Sequence, residues 1–168
     1  MKYLDNLNHE LNIDDLVFCL TGSSAKTISS VVKLGKRKNE PFDDLATVTL
    51  ENKKTLMASN VINLSKLGVT NESIEWDYIG KEKHDALGHE IKVGDKILFL
   101  HRMECDSQTG TVKKLTAVTM LLEIPKNRFD QTEYRQKYGE VINLSAIGLG
   151  NVQVHLNYFD NGDRFITD

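Results

Sequence analysis

The chain contains the word VINLS twice, at Val61–Ser65 and Val141–Ser145, and what surrounds the two copies recurs in the same register. A shift of 80 residues lays VINLSKLGVTNESIEWDY (61–78) on VINLSAIGLGNVQVHLNY (141–158), with eight of 18 pairs identical. The same shift lays DNLNHELNIDDLVFCL (5–20) on DALGHEIKVGDKILFL (85–100). There Asp5/Asp85, Leu7/Leu87, His9/His89, Glu10/Glu90, Asp15/Asp95 and Leu20/Leu100 are identical. The middles drift. ATVTL (46–50) meets AVTML (117–121) only at a shift of 71, so repeat 1 carries about nine extra residues around GKRKNEPFD, and repeat 2 regains the spacing in PKNRFDQTEYRQKYG. Length changes of this kind belong to loops, whereas structural elements keep their register.

An internal duplication of about 80 residues predicts two small domains, 1–80 and 81–168, the second with a C-terminal hairpin extension. Each unit reads as short strands. HEIKVGDKILFL alternates up to the Gly94-Asp95 turn and then runs apolar. ISSVVKLGKRKNEPFDDLATVTLEN gives two β-rich runs around a loop containing Gly, Asn, Pro and Asp. VINLS reads as a fourth strand. Ile74, Trp76 and Tyr78, like Val154, Leu156 and Tyr158, alternate as one face of a last strand. Asn161-Gly162 is a tight-hairpin signal. QTEYRQKYG could hold a helix, and SKLG and SAIG a single helical or 3-10 turn. About five short strands per unit, with edges to hide, predict an all-β chain with minor helix: two tandem SH3-like barrels. An OB-type barrel or a mixed α+β unit is the alternative.

Hydrophobic content of 40% and charged content of 27% fit a soluble globular protein, and no apolar run approaches the roughly 18 residues of a membrane span. MKYLDNLNHE lacks the apolar stretch of a signal peptide. Cys19 and Cys105 are not repeat-equivalent, so neither a duplicated disulfide nor a shared metal site is expected; a reduced, cytoplasmic protein is. Net charge is −3, yet residues 3–68 hold eight acids and eight bases, and residues 82–149 hold ten of each. The acidic excess lies in NESIEWD and in the tail.

The duplicated His9-Glu10 and His89-Glu90 invite a metal reading. Zinc needs three or four ligands, and no further His or Cys recurs: His84, His101 and His155 have no histidine counterparts. Asp15 and Asp95 read as turn residues bonding their own backbone, with no second recurrent acid for acid/base work. GLGN (148–151) lacks the third glycine and the helix of a phosphate loop. No enzyme, metal or cofactor is expected.

The remaining feature is basic. Lys33, Lys36, Arg37 and Lys38 cluster in KLGKRK, with Lys53 and Lys54 after the next strand. The second unit offers Lys113 and Lys114, Lys126 and Arg128, then Arg135 and Lys137. Such residues at hairpin tips or on one barrel rim can contact successive phosphates, although Lys and Arg also decorate ordinary loops and sheet edges. Phe42, Phe129 and Tyr134 fall in the variable loops, and nothing ties them into a stacking platform.

The block D-x-L-x-H-E-[LI]-x-[IV]-x-D before an apolar strand resembles the opening of KOW- or Tudor-like SH3 barrels of phage proteins. With the chain length, the doubled barrel and the early KLGKRK segment, it is similar to the transcription modulators of the T-even phages. The resemblance implies an early phage protein that binds duplex DNA, with RNA as an alternative, and acts on the host nucleoid or transcription. Docking on a host polymerase or nucleoid protein without touching DNA is the competing expectation.

Overall fold

The structure, a computed structural model, describes residues 1–20, 28–102, 106–154 and 165–167. These form two compact units that meet in sequence between Thr70 and Asn71. Both are all-β.

The first unit contains β1 (Leu16–Cys19), β2 (Ile28–Asn39), β3 (Phe42–Leu50), β4 (Thr55–Met57) and β5 (Val61–Asn63). All neighbours are antiparallel, in the order β4-β3-β2-β1-β5. A 3-10 turn at Ala58–Asn60 sends the chain from β4 back to β1. The second unit repeats this with β6 (Lys96–His101), β7 (Asp106–Leu115), β8 (Thr119–Glu123), β9 (Glu133–Lys137) and β10 (Ile142–Asn143), in the order β10-β6-β7-β8-β9. The 3-10 turn Tyr138–Glu140 plays the same part. A meander whose fifth strand returns to pair with the first is an SH3-like barrel, and the chain contains two. VINLS is therefore the fifth, closing strand and not the fourth.

Core positions alternate as strand geometry requires. In the first barrel Leu11, Val17, Cys19, Val31, Val48, Leu50, Ala58 and Val61 pack together. In the second Ile91, Ile97, Phe99, Val112, Met120, Leu122, Ile124, Tyr138 and Val141 do so. At repeat-equivalent sites Phe99 stands for Cys19 and Tyr138 for Ala58, so the second core holds bulkier side chains.

Strand pairing refines the register. Val31 bonds the 14–15 turn as Val112 bonds the 94–95 turn, an offset of 81. Both strands then carry a one-residue irregularity, at Val32 and at Lys113. Val48 and Leu50 match Met120 and Leu122, an offset of 72 and not 71, because it is Met120 and Leu122 that face the core. Leu56, opposite Val48, matches Gln136, opposite Met120, restoring 80. The nine extra residues of repeat 1 thus lengthen the β2–β3 hairpin. Repeat 2 compensates in the connection between β8 and β9.

Three local expectations change. KLGKRK is strand, not loop: it lies inside β2, and the turn is only Glu40–Pro41. QTEYRQKYG holds β9 and not a helix, because Tyr134 and Gln136 turn inward while Glu133, Arg135 and Lys137 face water. Residues 71–78 form 3-10 turns at Asn71–Ser73 and Trp76–Tyr78 instead of a strand. Ile74 is buried, but Trp76 and Tyr78 are exposed. This segment belongs to the second unit, where Glu75 N donates to the Leu87 carbonyl (2.9 Å). It lies so close to Gly88 (φ +80°) that a Cβ there would sit 1.9 Å from the Glu75 oxygen. SKL and SAI are 3-10 turns, each ended by a left-handed glycine, Gly68 or Gly148 (both φ +79°). Outside the second barrel, β11 (Val152–Val154) pairs with β12 (Phe165–Thr167). The Asn161-Gly162 turn and the strand positions Leu156 and Tyr158 lie outside the described residues, as do His155 and Cys105.

Candidate nucleic-acid interface

The duplicated polar residues come together as a buried latch. Asp85 Oδ1 accepts the N–H groups of Leu87 (2.9 Å) and His89 (2.8 Å), while Oδ2 accepts that of Asn143 (2.6 Å). Asn143 Nδ2 donates to the Glu90 carbonyl (3.0 Å) and to Asp95 Oδ2 (2.8 Å). Asp95 Oδ2 also accepts Lys92 N (2.9 Å), and Ser145 Oγ accepts Lys96 N (2.8 Å). The first barrel repeats the set with Asp5, Asn63, Asp15 and Ser65. Asp15 and Asp95 are turn residues, as expected, and also bind the closing strand. The His-Glu pairs serve the same structure: the Glu10 and Glu90 carbonyls accept the latch amides, and the His89 ring bonds the Ser73 carbonyl (2.7 Å). Burial pushes the Asp5 and Asp85 carboxyls above the ordinary aspartate value, against the pull of their N–H donors.

The basic residues are sorted by the alternation of their strands. In β2, Lys33 (opposite Thr49) and Arg37 (opposite Leu45) point to the outer face. Lys36 lies on the inner side of the hairpin, where it pairs with Asp44 (3.3 Å). Lys38 is exposed beside the irregularity next to Asn39, and Lys53 and Lys54 occupy the β3–β4 turn, Lys53 at φ +67°. The KLGKRK cations therefore do not form one patch.

In the second barrel Lys114, opposite Leu121, takes the place of Lys33, opposite Thr49: VVKL and VKKL carry the same lysine just after the same strand irregularity. Leu121 in turn faces Arg135, and Thr119 faces Lys137. Lys114, Arg135 and Lys137 thus share the outer face of β7–β8–β9. At ordinary strand spacing, Lys114 and Arg135 stand about 10 Å apart and Arg135 and Lys137 about 7 Å. None of the three has an ion-pair partner among the described residues. Arg135 donates to Thr119 Oγ1 (3.0 Å), which sets its direction across the face.

Lys113 is spent on Glu133 (2.6 Å), whose hydrogen bond and charge raise the ammonium's pKa. Lys126 pairs with Asp130 (3.3 Å), and the Arg128 guanidinium lies 4.9 Å over the Phe129 ring. Lys126 and Arg128 thus sit in the β8–β9 connection, away from the Lys114 face. The end of the β7–β8 hairpin is braced by hydrogen bonds: the Tyr138 hydroxyl donates to the Thr116 and Thr119 carbonyls, and Thr116 Oγ1 accepts Thr119 N (3.1 Å). The Lys33/Lys114 equivalence was present in the sequence at an offset of 81; the meeting of Lys114 with Arg135 and Lys137 depends on strand register.

Neither a grouping of three or more potential metal ligands nor a helix long and apolar enough to cross a membrane occurs among the described residues. The model of a family described as a domain of unknown function, DUF7205, matches residues 83–144, which span the second barrel. No curated protein matches the chain.

Proposed function

We propose that the chain is a non-enzymatic protein that binds duplex DNA through its backbone, with little reading of sequence. The observation that carries this is the repeated outer-face lysine, Lys33 in one barrel and Lys114 in the other, with Arg135 and Lys137 beside the second. Cations held by strands at fixed spacing, and not consumed by carboxylates, suit a row of phosphates. In the first barrel Arg37 lies on the same outer face as Lys33, while Lys53 and Lys54 stand in the β3–β4 turn. Net charge of −3 keeps long-range attraction weak, so the local clusters carry the contact. Two modules on one chain raise avidity, since the first contact holds the second near the duplex. With the resemblance to phage tandem barrels, this supports a role as a modulator of host transcription or nucleoid structure.

A filter-binding titration against duplex DNA, single-stranded DNA and RNA at about 50 and 200 mM salt tests the reading. Duplex affinity should fall at least tenfold over that range and change little with sequence. Flat affinity would exclude it.

A second reading, docking on a host protein, draws on Trp76 and Tyr78. Both are about half exposed, on a segment fastened against Gly88, and aromatic residues held in place are typical interface anchors. Salt-insensitive capture of one host protein, with no mobility shift of DNA, would favour it.

A further inference from the structure

The β2–β3 hairpin outruns its barrel. Leu34 and Ala46 are the last of its residues packed on the core, and β4 accompanies β3 only from Thr47 to Thr49. Residues 36–45 continue as a two-stranded ribbon, about 15 Å long at ordinary strand rise. At its end Pro41 and Phe42 are exposed, Phe42 at 73%. That is the highest exposure of any large hydrophobic residue described, and no part of the barrel core uses the ring.

Behind the tip stand Arg37 and Lys38, both exposed and without an ion pair among the described residues, while Asp44 is occupied by Lys36. The corresponding hairpin of the second barrel has the same plan: Val118 is 72% exposed at its end, with Lys114 and Lys137 behind it. An apolar tip backed by cations thus occurs in both repeats, although the two ribbons differ in length by nine residues.

We infer that the β2–β3 ribbon is a duplex-bending arm, an inference that rests on the DNA-binding reading. Arg37 and Lys38 hold phosphates at the groove edge, and Phe42, with Pro41 beside it, wedges between base steps from the minor groove. Apolar wedges of this type unstack a step and kink the helix toward the major groove. Glu40 and Asp43 flank the tip and repel phosphate, so the tip acts through stacking, and anchoring falls to the cations behind it.

The test is energy transfer across an end-labelled duplex of about 30 base pairs at low salt, alongside the binding titration. The wild-type protein should bring the duplex ends closer. Phe42→Ala should abolish that shortening while keeping affinity within about threefold and the salt slope unchanged. Arg37→Ala with Lys38→Ala should weaken binding about tenfold or more. Glu40→Gln with Asp43→Asn should tighten it. Binding without shortening, or shortening that survives Phe42→Ala, overturns the arm and leaves the DNA-binding reading standing. No binding by the wild-type protein removes both. Phe42 is on the surface, so an unchanged thermal melt of the alanine variant separates loss of the wedge from loss of fold.

Discussion

Asp85 reaches across 58 residues of chain to accept the backbone N–H of Asn143 at 2.6 Å, and Asp5 does the same for Asn63 at 2.7 Å. Each carboxylate joins the entry of its barrel to its closing strand and satisfies three backbone N–H groups at once, two of them buried. A carboxamide cannot do this, because its NH2 would face the Asn143 N–H. Asp85→Asn should therefore destabilise the second barrel by roughly 2–4 kcal/mol, the scale of an unmatched buried polar pair. Urea unfolding read on the second barrel checks it; a loss below about 0.5 kcal/mol would mean that the latch contributes nothing.

Burial raises the Cys19 thiol to about 11, from an ordinary value of 9.0. The sign follows from linkage: with the folded pKa above the unfolded one, the native state favours the neutral thiol. That stability is whole below about pH 9 and is lost as pH rises toward 11. At pH 8 only about one folded molecule in a thousand carries the thiolate. Labelling by a disulfide reagent in a Cys105→Ser background should be far slower for the folded chain than for the chain in denaturant. Equal rates would show the site to be open.

The shared face of β7–β8–β9 makes a quantitative claim. Lys114→Ala, Arg135→Ala and Lys137→Ala together should weaken duplex binding about 10- to 100-fold and lower the slope of log affinity against log salt by about 2 to 3. Lys113→Ala should cost little, because Glu133 already holds that ammonium. Lys36→Ala should behave likewise because of Asp44. If Lys113 or Lys36 mattered as much as Arg135, the site would lie elsewhere.

Gly88→Ala combines a left-handed backbone with a Cβ placed 1.9 Å from the Glu75 oxygen. The segment 71–80 must then lift, at a cost of at least about 3 kcal/mol. Trp76, the sole tryptophan, rides on that segment and reports the change. Its indole N–H now donates to the Asn71 carbonyl (3.3 Å). Emission should shift to the red and proteolysis near residues 71–80 should quicken; an unchanged spectrum would contradict the packing.

What the sequence displayed follows from what the duplication preserved. The latch needs Asp, Asn, Asp and Ser at fixed offsets, so those residues recur and the two barrels are legible in the chain itself. Ile74, Trp76 and Tyr78 misled because alternation alone cannot tell a strand from a chain of 3-10 turns; the deciding contact, Glu75 on Gly88, is 13 residues away and carries no local pattern. KLGKRK reads as one basic loop in sequence; its pairing with residues 45–49 makes it strand, and the strand then sends successive charges to opposite faces. For the same reason Arg135 and Lys137, 21 and 23 residues after Lys114, showed no sign of sharing its face.

Two interchangeable latches in one polypeptide carry a hazard during synthesis. The closing strand Val61–Asn63 offers Asp85 the same donors that Val141–Asn143 offers, so a half-made chain holds the wrong partner before the right one has left the ribosome. Early sealing of the first barrel protects against this exchange. A variant with a weakened first latch should therefore give a larger misfolded fraction the faster it is produced.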